Sequence, residues 1–203
     1  MKYIAKEGYL SISLIIGLII IFWILNSFSF ILFFLLLLFL FIFRNPNRNL
    51  DCSDNKAILS PIDGKITKID NIFHKELGEI IEISITNSFY NVGTFYAPFA
   101  MNINEIKIRY GLFLDDEIGK LNFLKEKIYI DATTNSSKII LEIYAGSLGR
   151  KLNLGFISHD LKSGDKMGFL TNGILKLILP KNIRIQVGLG DEVRSGSLLG
   201  YLI

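Results

Sequence analysis

The sequence predicts a mainly β domain of short strands and hairpins, barrel-sandwich-like with minor helix, behind an N-terminal hydrophobic helical hairpin. Three observations carry that prediction. Residues 8–43 contain no charged side chain. From residue 57 onward, short alternating apolar runs are punctuated by Gly, Asp, Asn and Pro, the pattern of strands and turns. A Gly-Asp-x-apolar element occurs twice, at 164–167 and again 26 residues later at 190–193.

The apolar stretch comes first. As a single helix, 36 residues would run about 54 Å at 1.5 Å per residue, against a hydrocarbon core of about 30 Å. That is too long for one span and slightly short for two. Asn26-Ser27 lies between the two apolar halves, 10–25 and 28–43, and reads as the turn of a transmembrane hairpin; a single tilted helix is the alternative. The apolar length far exceeds that of a signal-peptide core, and no small-x-small cleavage site precedes the domain. Residues 1–50 hold Lys2, Lys6, Arg44 and Arg48 against Glu7. For a hairpin, the positive-inside tendency puts both ends, and the domain, on the cytoplasmic face of the cell membrane.

Residues 51–203 carry 18 basic and 18 acidic side chains, so the basic excess belongs to the membrane flanks. Nothing here forms a nucleic-acid-binding face. The single cysteine, Cys52, excludes an internal disulfide and a cysteine-based zinc site and reads as an incidental free thiol. Three regions follow: a membrane anchor over 1–44, a polar linker over 45–56 in which Pro46 blocks helix continuation, and a β-rich domain over 57–203.

Within the domain, 57–70 reads as strand, Pro-to-Gly turn and strand, with Asp63-Gly64 supplying the turn. Residues 79–86, 103–110, 125–131 and 138–144 alternate and read as strands. Residues 87–99 are aromatic-rich and irregular, either a loop packed over the core or a lipid-contacting one. Residues 147–153 read as a helical turn. Asn172-Gly173 sits between the apolar runs 167–170 and 174–179, a strong local hairpin signal, because both central residues of such a turn need φ > 0. The Gly-Asp turns resemble those of lipoyl and biotinyl carrier domains, but no modifiable lysine occupies the hairpin tip.

Five segments in register resemble the phosphatidylserine decarboxylase family in its short bacterial and archaeal form. Phe43-Arg44-Asn45-Pro46-Asn47-Arg48 is similar to its Phe-Arg-Asp/Asn-Pro-x-Arg, and Ser60-Pro61-Ile62-Asp63-Gly64 to its Ser-Pro-Ala-Asp-Gly. The run 144–151 is similar to its Ile-Ala-Gly-x-x-Ala-Arg-Arg. Gly164 to Gly168 and Leu179-Pro180 bracket its cleavage region, and 190–199 is similar to its closing Gly-Asp-x-Val element. The resemblance implies an enzyme of phosphatidylethanolamine synthesis that makes its own cofactor. A serine attacks the preceding carbonyl, the chain splits, and the serine becomes a pyruvoyl group. That group takes the substrate amine as a Schiff base and acts as electron sink for loss of CO₂.

Carried over residue by residue, the family's catalytic aspartate matches Asp63. Its histidine motif corresponds to residues 91–98 and puts Gly93 where the histidine belongs. Its serine falls at Gly173 counting back from Pro180, or at Ile174 counting forward from Gly168. The sequence therefore predicts a homologue with Asp63 as the retained catalytic member, no pyruvoyl group or other cofactor, and no decarboxylation. A membrane phospholipid headgroup and a family member in a homo- or hetero-oligomer are the expected partners. Two alternatives stand beside this one: an active enzyme using Thr171, the only hydroxyl between Gly168 and Pro180, and a non-enzymatic membrane-tethered adaptor. His74 and His159 lie outside the histidine motif.

Overall fold

The computed structural model describes residues 3–52, 54, 56–74, 77–112, 122–134, 137–146, 152–155 and 158–203. The chain divides into two compact units, Met1–Asn47 and Arg48–Ile203.

The first unit is a helical hairpin. A 3₁₀ turn (Lys6–Gly8) leads into α1 (Tyr9–Ile24), and α2 (Phe30–Ile42) returns. Asn26 turns the chain with φ 55°, a left-handed conformation that asparagine tolerates better than most residues. Ser29 caps α2 by accepting the Leu32 N–H at 3.5 Å. At the open end, Ala5 N–H donates to Phe43 O at 2.8 Å and Asn45 N–H to Tyr3 O at 2.7 Å, so the two ends are zipped together. Gly8 permits the approach, because a Cβ there would lie 2.4 Å from Phe43 Cγ. Leu10, Trp23 and Ile31 point outward and are exposed. Lys6–Ile24 is long and apolar enough to cross a membrane. With 13 residues, α2 runs about 20 Å at 1.5 Å per residue, short of a full span.

The second unit is antiparallel β throughout its named strands. The largest sheet contains β2 (Gly64–His74), β3 (Gly78–Asn87), β5 (Met101–Arg109), β6 (Lys127–Thr134), β7 (Ser137–Ala145), β9 (Asp160–Leu161), β11 (Gly173–Pro180) and β13 (Glu192–Val193). Their order is β13-β2-β3-β11-β7-β6-β5-β9. A second sheet takes β1 (Ala57–Leu59), β12 (Ile183–Ile185) and β14 (Leu198–Leu202), ordered β1-β14-β12, and a third takes β4 (Thr94–Tyr96), β8 (Asn153–Leu154) and β10 (Lys166–Phe169), ordered β4-β10-β8. Register slips at Ile66/Lys68 and Ile103/Glu105 place bulges in the large sheet; bulges bend strands, and the sheet curls.

Period-two alternation builds the core. Leu175, Leu177 and Leu179 of β11 point into the main core with Ile83, Ile85, Leu141 and Ile143 from the flanking strands. The opposite face carries a smaller cluster of Ile80, Ile140 and Ile178. Beside it, Glu82 accepts from Lys176 at 3.2 Å and from Lys68 at 3.4 Å. Lys127 pairs with Glu142 at 2.5 Å, and the Tyr144 hydroxyl donates to the other Glu142 oxygen at 2.7 Å.

The two Gly-Asp elements form the same turn. Asp165 Oδ2 accepts the Lys162 N–H at 2.8 Å, and Asp191 Oδ2 accepts the Gly188 N–H at 2.7 Å. Each preceding glycine has positive φ, 83° at Gly164 and 93° at Gly190. Each turn also exchanges two backbone hydrogen bonds with one residue elsewhere, Ala97 for the first and Ile66 for the second.

Two expectations from the sequence are revised. Asn172-Gly173 does not turn a hairpin: β10 pairs with β4 and β8, whereas β11 pairs with β3 and β7. Residues 170–172 carry the chain from one sheet to another, and Asn172 has no positive φ, so the required turn is not made. The helical turn expected over 147–153 falls largely outside the described residues; Asn153, which is described, begins β8.

Burial and the neighbouring Glu142 carboxylate raise the Tyr144 phenol far above its ordinary value. A folded-state value above the unfolded one, about 10, stabilises the fold fully below pH 10 and loses that contribution as pH rises beyond it. Tyr144→Phe removes the hydroxyl's hydrogen bond, about 1 kcal/mol. The melting-temperature gap between the natural protein and this variant is therefore expected to be largest at pH 8 and to narrow above pH 10.

Candidate functional site

Asp63 sits at the turn between β1 and β2 and is buried. Its Oδ2 pairs with the Arg48 guanidinium, and its Oδ1 accepts the Ser195 N–H at 2.8 Å. The turn is fixed further by Ser60, whose hydroxyl donates to Ile62 O at 2.8 Å, while Ser60 N–H donates to Ser197 O at 2.7 Å and its carbonyl accepts from Gly196 at 2.9 Å. Asp63 thus clamps the loop after β13 to the start of the domain through a cation. Tyr96 lies close by; burial raises its phenol above the ordinary value, and the Arg48 charge opposes that shift.

Asn87 ties this clamp to the region where the resemblance places self-cleavage. Fully buried at the end of β3, it donates through Nδ2 to Asp63 O at 2.8 Å and Val92 O at 3.0 Å. In the ladder it stands opposite Gly173. Asn87 Oδ1, Ser195 Oγ and Arg48 Nε are buried polar atoms with no hydrogen-bond partner among the described residues.

At the cleavage position, the Asn172 carbonyl accepts the Gly146 N–H at 2.8 Å. Gly146 eases that approach, since a Cβ there would meet Asn172 atoms at a tight 3.1 Å. Gly173 lies closer still: φ is +152°, and a Cβ would sit 2.1 Å from the Tyr144 carbonyl and 3.1 Å from Leu170 Cδ1. Gly93, the counterpart of the histidine, has its carbonyl accepting from Leu170 N–H at 2.7 Å. A Cβ at Gly93 would lie 2.5 Å from Leu170 O and 2.9 Å from the Phe169 ring. The segments bearing the three motif positions therefore converge, and chain packed around Leu170 fills the space beside both glycines.

The two histidines lie elsewhere. His74 ends β2 opposite Gly78, nine residues from Lys65, which pairs with Thr86 next to Asn87; at 3.3 Å per residue that is about 30 Å along the strand. His159 is exposed beside Asp160 and adjoins Ile103, at the far end of β5 from Arg109. Thr171 lies in the crossover between β10 and β11. Sequence reasoning pointed to Asp63 and the two glycine positions but missed Arg48, Asn87, Gly146 and Ser195. Arg48 appears in the sequence as a flanking charge and as the last residue of the Phe-Arg-Asn-Pro-Asn-Arg motif; in the fold it is also the ion-pair partner of Asp63. The one available signal for Asn87 was an asparagine closing an otherwise alternating strand.

A β domain in which an aspartate turn, a glycine-bearing loop and the start of a central strand meet defines the class. Comparison with known proteins sharpens it. A family profile described as phosphatidylserine decarboxylase matches residues 35–201. The phosphatidylserine decarboxylase proenzyme of Syntrophus aciditrophicus is 31% identical over 159 residues, covering 76% of this chain and 74% of the relative. That of Desulfotalea psychrophila is 32% identical over 167 residues, covering 79% and 78%, and that of Syntrophotalea carbinolica is 29% identical, covering 98% and 96%. The chain belongs to the phosphatidylserine decarboxylase family. The pyruvoyl group associated with that family needs a serine precursor, and the residues present do not fit it: position 173 has no room for a Cβ, and Ile174 is a buried apolar side chain.

Two outcomes follow for variants. Asp63→Ala leaves the Arg48 guanidinium without its carboxylate and is expected to cost about 3 kcal/mol, as for other broken, largely buried pairs. Asp63→Asn keeps an acceptor and should melt between that variant and the natural protein; equal melting of all three would refute the clamp. Gly173→Ser, which presses a side chain onto the Tyr144 carbonyl, is expected to destabilise by about 2 kcal/mol or more and to run as one band on a denaturing gel.

Proposed function

We propose that this chain is a membrane-associated protein of phospholipid metabolism that neither cleaves itself nor decarboxylates phosphatidylserine. One observation carries the reading: of the two positions that motif register offers for the nucleophile, a Cβ at Gly173 would lie 2.1 Å from the Tyr144 carbonyl, and Ile174 is a buried apolar side chain, so neither presents a hydroxyl. Asp63 supports it, because its carboxylate is engaged by Arg48 and Ser195 as a structural clamp. Without a pyruvoyl group no electron sink is available for loss of CO₂.

In this reading the chain retains binding without chemistry. The relatives' name gives phosphatidylserine as their substrate, and its headgroup is the proposed ligand here. The helix Lys6–Ile24 supports anchoring in a cell membrane, and the basic residues flanking the hairpin favour a cytoplasmic domain. A second family member is the proposed protein partner.

Intact mass spectrometry of the full chain tests the proposal, with the Syntrophus aciditrophicus relative matured in parallel. A single chain of 23.0 kDa that releases no CO₂ from phosphatidylserine is the expected result. Two fragments divided near residue 172, the smaller bearing a carbonyl that reacts with hydroxylamine, would overturn it and would point to Thr171 or another nucleophile.

A further inference from the structure

Among the described residues of the helical hairpin, the charged side chains sit at one end. Lys6, Glu7 and Arg44 lie at the open end, and residues 8–43 hold no charge. That end is also fastened. Besides the backbone hydrogen bonds of Ala5 and Asn45, Arg44 donates to Phe41 O at 2.9 Å and lays its guanidinium 4.1 Å over the Phe41 ring. An arginine folded back onto the last turn of a helix satisfies a free carbonyl there and keeps its charged head at the water boundary.

The hairpin is too short to cross a bilayer. A Cβ at Gly8 would lie 2.4 Å from Phe43 Cγ, so both limbs start at one level. From there α1 runs 16 residues and α2 returns over 13. At 1.5 Å per residue these limbs measure about 24 and 20 Å. Lys6–Ile24 reaches a spanning length only by including the charged Lys6 and Glu7 of the 3₁₀ turn. Fastened at the open end and joined by the turn, the two limbs share one reach, and it falls short of a hydrocarbon core about 30 Å thick.

The closed end suits an apolar medium. Trp23, Ile24 and Ile31 are 74%, 74% and 80% exposed. Lipid offers no hydrogen-bond partner, so a segment within it must pair its backbone internally. Leu25 N–H donates to Ile21 O at 3.1 Å, Asn26 N–H to Trp23 O at 3.1 Å and Ser27 N–H to Phe22 O at 3.0 Å. The Ser29 carbonyl accepts from Phe33 at 3.2 Å. Inside α1, the Ser13 hydroxyl is returned to Leu10 O at 2.9 Å. The turn itself carries Asn26 and Ser27, and nothing charged there holds it among headgroups.

Helix faces decide between lying on the bilayer and entering it. A helix that rests in the interface needs a polar face for water. The sequence of α2, FILFFLLLLFLFI, contains no polar residue and has no such face.

We propose that the hairpin is a re-entrant anchor: it enters and leaves the bilayer through the same surface, and its turn at Asn26-Ser27 ends inside the hydrocarbon without emerging on the far side. This rests on the membrane association proposed above, gives its mode, and is independent of whether self-processing is lost.

The test uses the full chain with Cys52→Ser, expressed in bacterial cells, carrying either Tyr3→Cys at the open end or Ser27→Cys at the turn. Sealed membrane vesicles of both orientations are treated with a membrane-impermeant maleimide. Position 3 is expected to react from one side only. Position 27 is expected to react from neither, at least tenfold more slowly than after detergent is added. Reaction at 27 from the side opposite position 3 overturns the proposal in favour of a spanning hairpin. Reaction at 27 from the same side overturns it in favour of a surface-bound one. A fluorophore attached at 27 before reconstitution into phosphatidylcholine vesicles is expected to be quenched more strongly by a nitroxide on the acyl chain than by one on the headgroup, and the reverse order also overturns the proposal. Recovery of the full chain in the soluble fraction overturns both this proposal and membrane association.

Discussion

Strand β11 is paired on both edges from its first residue, and that pairing is possible because position 173 carries no side chain. A Cβ on residue 173 would lie 2.1 Å from the Tyr144 carbonyl oxygen, so only glycine lets the backbone pass this close. From there the strand runs between β3 and β7 with Leu175, Leu177 and Leu179 directed into the core. The large sheet is therefore centred on a strand whose starting point tolerates only glycine. The same contact leaves no space for a side chain at one of the two positions that motif register offers for the family's serine.

A second constraint holds the domain's ends together. Asp63, Arg48 and Ser195 join three stretches distant in sequence through one carboxylate, while β1 pairs with β14 to bring the start of the domain to its finish. An aspartate that receives a guanidinium and a backbone N–H is well satisfied as a structural group. Asn87 extends the clamp to the Val92 carbonyl, so the aspartate turn and the glycine-bearing loop share one buried amide.

Most strands were legible because the period-two pattern is local: each alternating run chose its own inward face. The paired Gly-Asp turns were legible as a repeat, although their matching hydrogen bonds to Ala97 and Ile66 were not. Asn172-Gly173 misled because turn propensity concerns four residues, whereas pairing is decided by what already occupies the edges. Here β3 and β7 take both edges of β11, leaving none for β10. Arg48 closes the Phe-Arg-Asn-Pro-Asn-Arg motif and flanks the apolar stretch, but its pairing with Asp63, 15 residues away, is visible only once the fold brings the two together. In the site, Asp63 and the two glycine positions followed from motif register. Asn87, Gly146 and Ser195 act through contacts between segments that no spacing rule encodes.

Leu170 touches the surroundings of both glycines: its carbonyl faces Gly93, and its side chain approaches Gly173. A histidine at 93 would meet the Leu170 carbonyl and the Phe169 ring, whereas a serine at 173 would meet the Tyr144 carbonyl first and Leu170 Cδ1 less closely. A larger residue would therefore call for separate movements, of the chain around Leu170 for position 93 and of the Tyr144 strand for position 173.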